Sequence, residues 1–419
     1  ALAEAVREEL FYQRGTPPEA TYLFKHALAS DVAYQSLLRS TRRRHHARVA
    51  ETLIERMSQV AEAQPELVAY HLTQAGEGER AIAYWQQAGE RANAQVAYEE
   101  ARSHWHQVRR LAAELEDSPK KLFLEPLACG RLALLGWLLG APSNEIEALF
   151  VEGKALAERI PDPRPRTLLQ IGYAGYVGMS DGDITRYVSA AQEALWLTEL
   201  SGDPVHQLVA RGALAQALNL AGSPAESLEL LDRCISERPE DPLAGRDISG
   251  ISMWIYAEIE RFRALGPLGR LGECAEALGR GIDLAHEHGE LQLLSLGLSA
   301  RVIRGEWSGE TDTILSDARQ AVEIAERTGV PIFLSTALAC LADALRLERR
   351  QTEALEVYQR ALDLMHSKRV AAMRRPHAVC GQALTYSALG EHGKAIARAR
   401  SALEDCLARG NRLIADLAL

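Results

Sequence analysis

An all-α superhelical array of helix hairpins is the fold class this sequence predicts, and three observations carry it. Only 6% of the 419 residues are aromatic while Ala, Leu, Glu and Arg dominate every row, a composition that favours helices over sheets. A helix–turn–helix grammar recurs with a period near 40 residues. Apolar residues step by three and four through both helices of a pair, as in Leu338–Leu345 followed by Thr352–Tyr358. The 47% hydrophobic content is enough for a sizeable core, and the length suggests two or three domains at about 150 residues each.

Residues 1–63 differ in kind from the rest. A helix over Leu2–Arg14 runs into the turn Gly15-Thr16-Pro17-Pro18, a short β-prone Thr21–Phe24 follows, and a second helix starts at Ser30 or Asp31. Helix, turn, strand and helix in that order suggest the truncated end of a small winged-helix-like module. Residues 64–118 then read as three closely stacked helices, Pro65–Gly76, Glu79–Asn93 and Tyr98–Glu116.

From 119 to 419 the repeats take over, about seven helix pairs. A buried-face small residue is expected at Ala155, Ala194, Cys234, Gly281, Ala321, Ala361 and Ala402, at spacings of 39, 40, 47, 40, 40 and 41. The turns fall at Gly182, Gly222, Gly269, Gly309, Arg349 and Gly390. Small residues two helical turns apart let a neighbouring helix approach, and glycine at the turn supplies a positive φ. The single long spacing coincides with Arg238–Gly245, a turn-rich insertion expected to project as a loop.

Composition also excludes functions. The net charge of −10 argues against a dedicated nucleic-acid binder. Apolar stretches such as Leu132–Leu139 are far shorter than the roughly 20 residues a membrane span needs. The six cysteines contain no Cys-x-x-Cys pair, so a reduced, cytoplasmic setting is expected. Gly390-Glu391-His392-Gly393-Lys394-Ala395 lacks the hydroxyl of a phosphate loop and sits at a repeat turn. The triplets Gly172/Gly175/Gly178 and Gly266/Gly269/Gly272 have no preceding strand and read as close packing or turns. The pairs His45-His46, His104/His106 and His286/His288 lack the three- or four-residue helical spacing of zinc ligands. No catalytic constellation, metal or cofactor is therefore expected. The basic cluster Arg39, Arg42, Arg43, Arg44 and Arg48 reads as a solvated helix face or an interdomain interface.

The repeat grammar resembles tetratricopeptide repeats: Ala354-Leu355 and Ala395-Ile396 open the motif, Tyr386 precedes Leu389-Gly390, and Pro239 ends a second helix. The period exceeds the usual 34. Upstream, Phe24–Leu28, Asp31–Tyr34, Arg42–Arg44, Pro65–Leu67, Gln74–Gly76 and Ala81–Gly89 resemble a segment of large bacterial STAND-class signalling ATPases. The resemblance implies a right-handed superhelical solenoid. It also implies a place downstream of a class III adenylate/guanylate cyclase domain and a phosphate-loop ATPase. The chain lacks an initiating Met and stops at Leu419 within a helical pattern, so it is expected to be a piece of a longer protein.

In a solenoid the first helices of each pair line the inner surface. Setting the pairs in register by their turns puts Tyr176, Gln216, Asn219, Tyr256, Arg263, Glu306, Asp343, Arg346 and His377 on or near that concave face. Mixed polar and aromatic groups there suit a protein, peptide or small-molecule ligand. The expected function is that of a non-catalytic sensor and interaction module regulating the upstream ATPase of the same chain. Two alternatives remain open: the sensor arm of a STAND-type transcriptional activator, and a free-standing peptide-binding scaffold.

Overall fold

The computed structural model describes residues 2–16 and 20–418. Pro17 and Pro18 of the expected turn, and the chain ends Ala1 and Leu419, lie outside them. Residues Ala1–Ala88 and Gly89–Leu419 form two compact units.

The first unit holds α1 (Leu2–Arg7), the antiparallel hairpin of β1 (Phe11–Arg14) and β2 (Thr21–Phe24), then α2 (Ala27–Ser36), α3 (Arg39–Arg56), α4 (Ser58–Ala63) and α5 (Pro65–Ala75). The strand at Thr21–Phe24 falls where the sequence put it. The helix expected to reach Arg14 does not. It stops at Arg7, Glu9 takes a positive φ of 57°, and Phe11 then pairs with Phe24 across the hairpin, ring centroids 4.3 Å apart. Two aromatic rings in contact across a strand pair outweigh continued helix for a segment that reads Phe-Tyr. The next helix begins at Ala27 rather than at Ser30 or Asp31.

α6 (Gly78–Ala94) crosses the division, and α7 (Tyr98–Ala113) opens the second unit. Seven helix pairs then follow among the described residues: α8 (Pro119–Leu139) with α9 (Ser143–Ala157), α10 (Arg164–Tyr176) with α11 (Ile184–Ser201), and α12 (Pro204–Ala221) with α13 (Pro224–Ser236). After the short α14 (Arg246–Ser249) come α15 (Met253–Leu265) with α16 (Leu271–Glu287), α17 (Leu291–Ser308) with α18 (Ile314–Thr328), α19 (Pro331–Leu347) with α20 (Gln351–Lys368), and α21 (Arg375–Ala388) with α22 (His392–Arg409). α23 (Arg412–Ala418) ends the array. Each pair packs on the next, so the fold is an all-α solenoid of tetratricopeptide-like hairpins.

Every turn read from the sequence has a positive φ, from 60° at Arg349 to 85° at Gly222. The first pair turns at Gly140, which the spacing did not reveal. Its small packing residue is Gly153, not Ala155: Ala155 is exposed, whereas a Cβ on Gly153 would lie 2.8 Å from Cys129. The extra turn residue at Ala141-Pro142 moves the packing position to thirteen residues beyond its turn, where the other pairs use twelve.

α8 is apolar and long enough, by composition alone, to cross a membrane, a helix that a search for uninterrupted apolar runs overlooks. In this fold it is a core helix: Leu124, Leu127, Leu132 and Leu135 are buried where it packs against α7, α9 and α10. All six cysteines are unpaired and buried, and burial pushes the thiols of Cys129, Cys234, Cys340 and Cys380 up to about 12.

The array curls until its end meets its beginning. The Lys368 carbonyl faces Gly140 so closely that a Cβ there would sit 1.7 Å from the oxygen. The Arg409 guanidinium donates to the Asp181 carbonyl, and the Arg412 side chain lies over Gly222.

Candidate functional site

Curling forms an apolar pocket of about 120 Å³. Its wall comes mainly from first helices: Leu134, Trp137 and Leu138 of α8, Ile171 and Gly175 of α10, Val209 and Gly212 of α12, Met253 and Tyr256 of α15, Leu296 of α17, and Phe333 and Thr336 of α19. The first helices of successive pairs turn an apolar face inward. Elements far apart in the chain thus share one space.

Three irregular segments complete it. Residues 238–244 of the insertion are exposed or half-buried, whereas Gly245 packs against Val209 and the segment that follows it delivers Ile248, Ser249 and Ile251 to the cavity. The Asp247 carbonyl accepts from Asn93 at 2.6 Å and Arg131 at 2.8 Å, holding that segment in place. A π-helical turn at Val177–Asp181 contributes Met179, and a 3-10 turn at Ala372–Arg374 contributes Met373 and Arg374; the two turns touch. Departures from regular helix of this kind concentrate where function requires them.

The sequence-derived residues fall into three groups. Gln216 and Tyr256 line the cavity, joined in a chain in which the Tyr187 hydroxyl donates to Gln216 Oε1 (2.9 Å) and Gln216 Nε2 donates to the Tyr256 hydroxyl (2.6 Å). Burial, with the nearby Glu260 charge adding, pushes the Tyr256 hydroxyl well above its ordinary pKa, so it stays a neutral hydrogen-bonding group. Tyr176 is 1% exposed and packs into the adjoining core with Tyr187 and Met373.

Asn219 and Arg263 form a second group around the fully buried Glu260. The Arg263 Nε lies 3.1 Å from Glu260 Oε2, and Asn219 Nδ2 donates to Oε1 at 3.5 Å. The third group centres on Asp343, 1% exposed. His377 Nε2 lies 3.1 Å from Oδ2, the Tyr358 hydroxyl donates to Oδ1, and Arg346 stands 3.8 Å away while bridging to Glu306 at 2.5 Å. Burial raises the Asp343 pKa, but His377 and Arg346 outweigh it and the carboxyl ends below its ordinary value. Of the nine residues, therefore, only Glu306, Arg346 and His377 keep partial exposure; Gln216, Asn219, Tyr256, Arg263 and Asp343 are buried partners in polar networks, and Tyr176 is buried in the core. The register put them on the inner helices, and the curl of the array then closed solvent off from most of them.

The sequence reading did not single out Trp137, Met179, Phe333 or Arg374. One signal was available for the last. The α20–α21 linker is longer than those after α11, α16 and α18, and it forces positive φ on two non-glycine residues, Arg369 and Ala371.

The other sequence candidates lie elsewhere. Lys394 pairs with Glu391 at its repeat turn. Gly172 and Gly175 let α10 approach α8, at the Gly130 carbonyl and the Trp137 indole. Among the described residues no group of three metal-ligating side chains occurs. In the first unit, Arg39, Arg43, Arg44 and Arg48 are exposed, Arg42 lies over the Tyr34 ring, and Arg43 packs on Gly76 at the end of α5. Beside them, His46 Nε2 bonds the Tyr34 hydroxyl at 3.0 Å and His46 Nδ1 lies 2.8 Å from His71 Nδ1.

No protein-family model and no curated protein matches this chain. Among solved structures it is similar to a Rap protein complexed with competence and sporulation factor, at 11% identity over 79% of this chain and 99% of that one, TM-score 0.57. It is also similar to apo RapI (10% identity, 80% and 95% covered, TM-score 0.49). A STAND protein with a tetratricopeptide repeat sensor from Pyrococcus horikoshii matches at 14% identity, over 76% of this chain and 42% of that one, TM-score 0.43. What is shared is the fold. At these identities the likeness extends to the stacked helix hairpins of the tetratricopeptide type and to nothing finer.

Proposed function

We propose that this chain is a non-catalytic sensor module that binds a peptide or small ligand inside its repeat array. The observation that carries the reading is the cavity wall, which draws on α8 and α10 near one end of the array and on α19 and the Ala372–Arg374 turn near the other. A ligand touching both ends changes the free energy of the curled state relative to a more open one, which is how binding biases a conformational equilibrium. A Rap protein of like fold is known with a factor bound, and we carry that mode of action across to this chain.

We further propose that the module belongs to a STAND-type ATPase, regulating an ATPase and a nucleotide cyclase that precede it, in the cytoplasm. The residue pattern of Phe24–Leu28 through Ala81–Gly89 supports this. The basic cluster Arg39, Arg42, Arg43, Arg44 and Arg48 then serves as the surface that meets the ATPase domain.

The test is hydrogen exchange on the chain with and without a bound ligand. Amides of α8 and of the segment around Ala372–Arg374 should gain protection together. Protection confined to one end of the array overturns the coupling.

A further inference from the structure

Arg374 has no role in the networks above. It is 6% exposed and faces the cavity, and among the described residues neither a carboxylate at salt-bridge distance nor a hydrogen bond meets its guanidinium. The closest acidic influence, Glu260, is already paired with Arg263. Two guanidiniums share one carboxylate, and one positive charge is left over in apolar surroundings.

That charge does not vanish by deprotonation. Burial and then Arg263 pull the Arg374 pKa down, with Glu260 opposing, only to about 10, so the side chain is cationic at neutral pH. An uncompensated buried charge is costly. The backbone holds it there nonetheless. Arg369 and Ala371 take positive φ of 52° and 55° just before the turn, and Asn411 Nδ2 donates to the Met373 carbonyl at 3.0 Å. A second donor in the same wall, the Trp137 indole Nε1, is buried without a hydrogen-bond partner among the described residues.

We propose that the cavity takes a carboxylate with an apolar body: the carboxylate on Arg374, and one aromatic ring or branched aliphatic group among Trp137, Met179, Leu296 and Phe333. This rests on the reading of the cavity as the ligand site. A single unpaired guanidinium matches a single negative charge, and its planar fork suits a carboxylate. The volume of about 120 Å³ is of the order that accepts one benzene-sized group. Two sources share that chemistry: a free aromatic or branched-chain acid, and the C-terminal residue of a peptide.

The experiment is calorimetric titration and thermal melting of the whole chain with 3-phenylpropanoate, its neutral amide 3-phenylpropanamide, toluene, and short peptides ending in Phe with free or amidated C-termini. We expect the acid to raise the melting temperature and to bind about tenfold or more tightly than the amide, the gain of a charge-assisted hydrogen bond. Arg374→Met should erase that difference while still binding toluene, which shows that the variant is folded and its cavity intact. Arg374→Lys should keep part of the preference. Tighter binding of the free-carboxylate peptide than of the acid supports a peptide source, and the reverse order supports a small molecule. If toluene binds but the acid and the amide bind alike, the charge assignment is overturned and the cavity remains the ligand site. If no probe binds, the cavity reading itself falls, and this proposal with it.

Discussion

Gln216 satisfies two buried tyrosine hydroxyls at once, one through its carbonyl oxygen and one through its amide nitrogen. Gln216→Leu strands both, and a buried polar group left without a partner costs roughly 1–3 kcal/mol. We expect a loss of about 2–4 kcal/mol in urea unfolding, part of it recovered by adding Tyr187→Phe and Tyr256→Phe. Asp343 behaves differently because its charge is the asset. Its pKa is lowered in the folded state, so its contribution is present above the ordinary value of 3.8 and is lost as pH falls through the lower folded value. Asp343→Asn should destabilise the chain at neutral pH and flatten its dependence on pH in the acid range.

The His46–His71 contact in the first unit has the same sign at a milder pH. Burial first, and then the neighbouring histidines, lower both pKa values below 6.5. The packing of α3 on α5 is therefore most stable above about 6.5 and weakens on acidification, as the two facing ring nitrogens are forced to take up protons. Near-ultraviolet circular dichroism across pH 7.5 to 5 should follow this loss, and His71→Phe should suppress it. These histidines show the limit of reading residues in sequence order. His45-His46 looks like a pair, yet the partner of His46 is His71, twenty-five positions away and invisible to any local spacing.

At the scale of the element, the turn positions were legible because backbone geometry constrains residue type strongly. Glycine is preferred where φ is positive, so a column of glycines with one Arg at position 349 reads as a column of turns. Arg349 pays a left-handed penalty of about 1 kcal/mol that glycine avoids. Arg349→Gly should raise stability by about 0.5–1 kcal/mol after the entropy cost of glycine is deducted, measurable by thermal melting. Gly140→Ala is the opposite case. Both its φ of 72° and the Lys368 carbonyl forbid a Cβ, and we expect a loss of more than about 2 kcal/mol. The elements misjudged from sequence are those in which a distant partner decided the outcome. Phe11 left the first helix for Phe24, and the first pair packs through Gly153 rather than Ala155, at a point where the Cys129 side chain leaves no room for a Cβ.

At the scale of the whole molecule, the chain divides into two compact units, and in the repeat unit closure adds contacts that a linear array lacks. Stacked repeats alone give stability that sums over neighbours. Contacts such as Arg409 to Asp181 and Asn411 to Met373 tie the last helices to the first and to the cavity. We expect Asn411→Ala to lower the stability of the α19–α21 region and, through the Ala372–Arg374 turn, to weaken ligand binding as well, both read by hydrogen exchange. The sequence by itself determined the helical class, the paired helices and six of their turns, because periodic burial and positive φ are local demands that each repeat must meet in its own residues. Only the tertiary structure decided that the array curls until its ends meet, that most of the expected concave-face residues are buried in polar networks, and that Arg374 has no counter-ion among the described residues. Those outcomes depend on the accumulated rotation between pairs and on which distant side chains it brings together, quantities that no single repeat encodes.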